Sequence, residues 1–121
     1  MTRSRKIPTS PQLLIWNGPT PPSEQEAEAK LHQEGYDSFR WYDVPGAAYP
    51  VHIHSHDECI WVLQGEITFE VEGEHYVLKS GDRLYLPAKI AHTAQVPVAK
   101  GVTYLVGQKR TEMPPGRAGY W

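Results

Sequence analysis

From Tyr36 onward, apolar and polar residues alternate in short runs broken by turn residues roughly every eight to twelve positions, the period-2 pattern of half-buried strands. Ile67, Phe69 and Val71 alternate with Thr68, Glu70 and Glu72. The pattern predicts a turn at Gly73-Glu74, with His75-Tyr76-Val77-Leu78 returning as the second arm of a hairpin. Ser80-Gly81-Asp82 reads as another turn and Arg83 to Leu86 as another strand; Ala91 to Val98 and Val102 to Val106 close the series. Roughly eight or nine short strands in some seventy residues predict an all-β small barrel or two-sheet sandwich.

The first third has a different texture. Pro8, Pro11, Pro19, Pro21 and Pro22 mark an arm, because proline lacks the amide donor that helix interiors and central strands need. Between them, Pro11 to Gly18 can add a short strand to a sheet edge. Ser23 to Gly35 predicts one short, mostly polar helix on the outside of the domain: Ser23 caps it, Glu26 completes a capping box, and Gly35 ends it. The chain thus divides into an arm with edge strand and helix (1–35), a barrel (36–110) and a tail (111–121). The tail ends on Tyr120-Trp121, which suits either a docked terminus or a solvated one.

Composition narrows the class. A chain of 121 residues makes one domain. Twelve basic against fourteen acidic residues leave no nucleic-acid footprint. The locally basic residues 1–6 read as a solvated tail. Leu13-Leu14-Ile15-Trp16 is too short for a secretory segment, and no apolar run approaches a membrane span. Cys59 is the only cysteine, so no intramolecular disulfide forms, and it reads as a small buried hydrophobe. A cytoplasmic protein is expected.

The chemistry lies in Gly46 to Glu58, with Gly65 beyond it, and in Gly81 to Pro87, followed by His92. Side chains two apart on a strand share a face, so His52 and His54 point the same way. With Glu58 just beyond and His92 from elsewhere, they form a nitrogen and oxygen cage for one divalent transition metal. Iron, manganese, nickel, copper and zinc all suit such donors. His56 has the same parity as His54, but Ser55-His56-Asp57 reads as a bend, which puts His56 at the mouth of the site, exposed or in support of the ligands. His32 and His75 have no companions at ligand spacing and are expected on the surface.

These residues resemble the cupin family. Its first motif runs Gly, five residues, His-x-His, three or four residues, Glu, six residues, Gly; Gly46, His52, His54, Glu58 and Gly65 fill each position. Its second runs Gly, five residues, Pro-x-Gly, two residues, His, three residues, Asn. Gly81, Pro87 and His92 match, whereas Lys89 replaces the second Gly and Val96 stands in place of the Asn. The resemblance implies a jelly-roll (double-stranded β-helix) barrel with a metal inside on His52, His54, Glu58 and His92, and dimers formed by strand exchange or sheet packing. The Lys89 departure costs about 1 kcal/mol if that turn needs a positive φ.

Four protein ligands on an octahedral ion leave two positions for water, dioxygen or a substrate. Iron, copper or nickel would permit cleavage by dioxygen; manganese or zinc would act as a Lewis acid. Tyr42 and Tyr85 are the interior acid–base candidates, and Arg40 and Arg83 the candidates to hold a substrate carboxylate. Phe39, Trp41, Ile60, Val62 and Phe69 are expected as apolar walls. Trp61, of opposite parity, is expected under the N-terminal arm or in a homodimer interface. The leading expectation is a small metal-dependent oxygenase acting on a chelating organic molecule. A metal-dependent sugar or uronate isomerase or lyase, and a non-catalytic sensing module for a small molecule, are the alternatives.

Overall fold

The computed structural model describes residues 10–110; the basic residues 1–6 and the tail at 111–121 lie outside the described residues. In chain order the elements are β1 (Gln12–Leu14), α1 (Glu24–Gln33), β2 (Tyr36–Asp43), β3 (Ala48–His52), β4 (Glu58–Gln64), β5 (Glu66–Val71), β6 (Glu74–Lys79), β7 (Arg83–Leu86), β8 (His92–Gln95) and β9 (Val102–Lys109). They form two antiparallel sheets, a five-stranded one in the order β1-β7-β4-β9-β2 and a four-stranded one in the order β3-β8-β5-β6. This is the expected all-β jelly roll with one short helix.

The alternation read along the chain becomes two faces. Ile60, Val62, Leu84 and Tyr104 of the first sheet and Ile67, Phe69, Leu78 and Ala94 of the second pack between the sheets. Residues of opposite parity, Cys59, Trp61 and Leu105, point outward and are covered by Ala27 and Leu31 of α1. Full burial of Leu31 contributes roughly 1.5–3 kcal/mol and holds an otherwise polar helix on the sheet. Trp61 therefore lies beneath α1, with its indole N–H donating to the Gly81 carbonyl at 3.0 Å. Cys59 is fully buried in the same layer, and burial pushes its thiol up to about 12.

The helix ends follow from the sequence. Ser23 Oγ accepts from the Glu26 amide at 3.1 Å, and Glu26 Oε1 accepts from the Ser23 amide at 2.8 Å. Gly35 ends the helix at φ +95°. The hairpin turn, by contrast, falls one residue earlier than expected. Val71 pairs with Glu74, so Glu72 and Gly73 are the two loop residues, at φ +53° and +82°. The right-handed twist of the two strands demands positive φ at both positions, and this outweighs the poor fit of glutamate there.

At Gly65, between β4 and β5, a glycine is obligatory. Its φ is +102°, and a Cβ would stand 2.5 Å from the Gly101 carbonyl oxygen. That close approach lets the chain pass from one sheet to the other beside β9. Among the described residues no helix is long and apolar enough to cross a membrane.

Candidate metal centre

β3 is an edge strand, which is why Pro50 is tolerated within it. Its last residue, His52, pairs with His92 of β8, so strand register alone brings two imidazoles together. The segment after β3 carries His54 and bends back into β4, and three hydrogen bonds hold it. Asp57 Oδ1 accepts from the Ala88 amide at 2.7 Å, the Asp57 carbonyl accepts from the Lys109 amide at 2.9 Å, and the His54 carbonyl accepts from the Lys89 amide at 2.8 Å. The turn before His92 is thereby fastened to the segment that carries His54.

Lys89 takes φ +64° in that turn, the left-handed conformation that favours the glycine it replaces. Substituting Lys89→Gly is expected to stabilise the protein by about 1 kcal/mol, raising Tm by roughly 4 °C. A lowered Tm in thermal denaturation would contradict this reading of the turn.

The three imidazoles converge. Ring centroids are 4.4 Å apart for His52 and His92, 4.9 Å for His52 and His54, and 5.2 Å for His54 and His92. One ligand atom from each lies within 4.8 Å of the others, so the cluster could hold a metal ion. Two rings are oriented from behind: His52 Nδ1 lies 2.7 Å from the Pro50 carbonyl and His92 Nδ1 lies 2.9 Å from the Ile90 carbonyl. A carbonyl can only accept, so each Nδ1 carries a proton, and in the neutral ring Nε2 keeps its lone pair. This is the tautomer that metal ligation needs.

Burial favours the neutral forms of His54 and His92. It lowers the pKa of His54, with His92 and His52 adding to the effect, and it lowers that of His92 against the opposing bond to Ile90. Glu58 is 4 % exposed at the start of β4. Burial pushes its carboxyl up to about 7, with the Gln108 side chain and His52 opposing. Its Oε2 lies 3.5 Å from His54 Nδ1. Since both groups are driven toward their neutral forms, this is not a strong ion pair. Three imidazoles whose ring nitrogens converge form a donor set that fits a divalent ion, and the buried Glu58 carboxyl stands beside that group rather than within it.

The four expected ligands line one cavity of about 220 Å³ between the sheets, together with Phe39, Trp41, Ile60 and Phe69 from the expected walls. Val62 is instead buried deeper in the core. His56 is exposed on the bend, hydrogen-bonded to Ser55 Oγ at 2.9 Å, and its charge helps to depress His54. His32 and His75 are exposed, as expected.

The acid–base and carboxylate-binding candidates require correction. Arg40 reaches Glu24 of α1 at 3.5 Å, and Arg83 donates to both carboxylate oxygens of Glu34 at 3.2 and 3.4 Å. Tyr85 donates to the same Glu34 at 2.7 Å, and Tyr42 is 56 % exposed on the parity of Arg40. All four belong to the outer side of the five-stranded sheet, away from the cavity. Trp41 and Glu58 have inward parity. Arg40 and Tyr42 flank Trp41 in β2, and Tyr85 pairs with outward Cys59, so strand alternation sends all three outward.

A polar group missed in the sequence takes their place. Asp43, buried at the end of β2, accepts from Tyr49 Oη and from Trp41 Nε1 on one oxygen, and from Tyr104 Oη at 2.6 Å on the other. Tyr49 and Tyr104 both face the cavity, and burial raises both phenol pKa values. Each therefore stays protonated and donates to Asp43. The three residues come from β2, β3 and β9, and no local spacing links them.

Residues 39–107, more than half of the chain, match the family described as "Cupin domain". A stretch of 49 residues is 41% identical to quercetin 2,3-dioxygenase of Bacillus subtilis; it spans 40% of this chain but only 14% of that enzyme. Among solved structures, an RmlC-like cupin from Shewanella frigidimarina is similar at 26% identity and TM-score 0.55, over 64% of this chain and 69% of that one. The DMSP lyase DddQ from Ruegeria pomeroyi is similar at 25% identity and TM-score 0.58, over 66% of this chain and 41% of the lyase.

Proposed function

Because this chain belongs to the cupin family, we propose that it is a metal-dependent enzyme of the oxygenase type, acting on a small chelating organic molecule. His52, His54, Glu58 and His92 would hold one divalent transition-metal ion. The observation that carries this reading is the convergence of one ring nitrogen from each of His52, His54 and His92 within 4.8 Å, with Nδ1 of His52 and of His92 held by the Pro50 and Ile90 carbonyls. Iron, copper or nickel bound there would supply the activation of dioxygen or of the chelated substrate. The chain's own residues do the rest. The two backbone carbonyls hold the imidazole tautomers, Glu58 gives up its proton to become a ligand, and the aromatic walls keep water from the bound substrate. The short similarity to the Bacillus quercetin dioxygenase points in the same direction.

The test is oxygen uptake by iron-, copper- and nickel-loaded protein with a panel of small chelating substrates. Uptake stoichiometric with substrate loss, and absent in His92→Ala, is expected. Turnover that proceeds unchanged without oxygen would overturn the oxygenase reading. It would favour a lyase instead, for which the Tyr49–Asp43 pair offers an interior acid–base group and the likeness to the Ruegeria lyase a precedent.

The raised carboxyl of Glu58 has a measurable consequence. With a pKa of about 7 in the metal-free protein, Glu58 holds about half a proton at pH 7 and must lose it when a cation binds. Affinity should therefore fall as pH drops through 7. Proton release, read by calorimetry in buffers of different ionisation enthalpy, should be about half a proton at pH 7 and approach zero above pH 8, and Glu58→Gln should abolish it. The same shift favours the metal-free fold below the unfolded carboxyl's pKa of about 4.3, and that contribution disappears as pH rises through 7. Release that does not change between pH 6 and 8 would contradict the assignment of Glu58.

A further inference from the structure

The outward turn of Arg40 and Arg83 leaves a cavity without cations. No lysine or arginine is among the described residues that line it. The guanidinium groups nearby in sequence are paired on the outer side, Arg40 with Glu24, Arg83 with Glu34, and Arg110 with Asp37 at 2.9 Å. Lys89 is exposed on its turn and does not line the cavity. At the metal end, then, an anionic head could be met by the ion, but a second anionic group elsewhere on the ligand would meet no counter-charge. Away from the metal end it would meet aromatic and aliphatic side chains and the uncharged Gln108 amide instead. A sugar phosphate, a uronate bound through its ring oxygens or an extended dicarboxylate is poorly served by such a wall.

What the wall offers is aromatic surface. Phe39, Trp41, Tyr49, Phe69 and Tyr104 line the space. Phe39 and Trp41 are 44 % and 46 % exposed and meet edge to face at 6.2 Å. Two large aromatic side chains left this open, on the cavity side of an edge strand, are not serving the core. They present faces and edges to an occupant. At about 220 Å³ the cavity is below the roughly 300–1,000 Å³ of drug-sized sites and has room for about one ring and its chelating group.

We propose that the cavity takes an uncharged monocyclic aromatic chelator, in which two neighbouring oxygen atoms reach the metal end and a ring with no remote anionic group stacks among Phe39, Trp41 and Tyr49. This rests on the metal-centre reading above and names the substrate class of that site.

The test holds the chelating head constant and varies the body. The zinc-loaded full chain is titrated calorimetrically with acetohydroxamate, benzohydroxamate and 4-carboxybenzohydroxamate. Benzohydroxamate is expected to bind roughly tenfold or more tightly than acetohydroxamate, from the aromatic contacts, and roughly tenfold or more tightly than its 4-carboxy analogue. Phe39→Arg places a guanidinium on the partly exposed wall, so it should weaken benzohydroxamate and strengthen the 4-carboxy compound, inverting their order. Equal binding of all three by zinc-loaded protein, or a wild-type preference for the carboxylate, overturns the substrate class and leaves the metal centre standing. Failure to take up zinc overturns the metal reading and this inference with it. If Phe39→Arg does not fold, Trp41→Phe gives a second readout, since it should narrow the preference of the aromatic over the aliphatic ligand without changing zinc affinity.

Discussion

Replacing His92 by alanine is expected to lower the affinity for a divalent ion by more than ~100-fold, beyond the 10–100-fold typical of a residue that only supports a ligand. His92 is 4 % exposed, with Nδ1 committed to the Ile90 carbonyl, so its other nitrogen has no role in the barrel apart from the cavity. His52→Ala, which removes its partner in the β3–β8 pairing, should cost as much. Neither loss can be made good by His56, which is exposed on the bend. Competition of zinc between the protein and a chromophoric chelator measures the change, and circular dichroism checks that the strands persist. Variants that fold and retain wild-type affinity would remove the histidines from the metal account.

Asp43→Ala should bring a large loss of stability. The carboxylate takes hydrogen bonds from two phenols and an indole on three strands of both sheets. Removing it leaves the two phenols without their acceptor, while the indole keeps its 3.2 Å bond to Tyr49 Oη, and each buried donor so orphaned costs about 1–3 kcal/mol. We expect a total near 3 kcal/mol, or a fall in Tm of roughly 12 °C. Asp43→Asn keeps an acceptor oxygen for one part of the network and should lose less. Removing the exposed Asp37, which pairs with Arg110 on the surface, should change little. Thermal denaturation of the three variants decides the matter, and an Asp43→Ala protein as stable as Asp37→Ala would mean that the network does not hold the two sheets together.

What could be read in the chain depended on range. Parity within a single strand is local, so Ile67, Phe69 and Val71 announced a buried face; His52 and His54 do converge, but β3 ends at His52 and His54 reaches the cluster from the bend beyond it. The capping box of Ser23 and Glu26 is equally local, and it formed as expected. The positive φ of Lys89 could be foreseen because glycine was expected at that position.

Registers between distant strands were not legible. Tyr85 looked like an interior group until β7 paired with β4 so that Tyr85 lies opposite outward Cys59. Arg83 lies two residues before Tyr85 on the same parity and is drawn into the network of Glu34 beneath α1. Trp61 could not be placed until the helix was seen to cover it. The cluster of Asp43, Tyr49 and Tyr104 had no signal at all, because its members are separated by as many as 61 residues and meet only through the packing of the two sheets. An isolated aspartate at a strand end carries only a general turn preference, which gives no hint of an interior acceptor.

The most direct test is an anomalous-difference map from crystals of protein purified without added metal, collected on either side of the absorption edges of iron, nickel, copper and zinc. The expected result is one peak inside the barrel, bonded to His52, His54, Glu58 and His92 and missing in crystals of His92→Ala. A map empty at that point after soaking with each ion, or a peak held elsewhere on the chain, would contradict the metal centre.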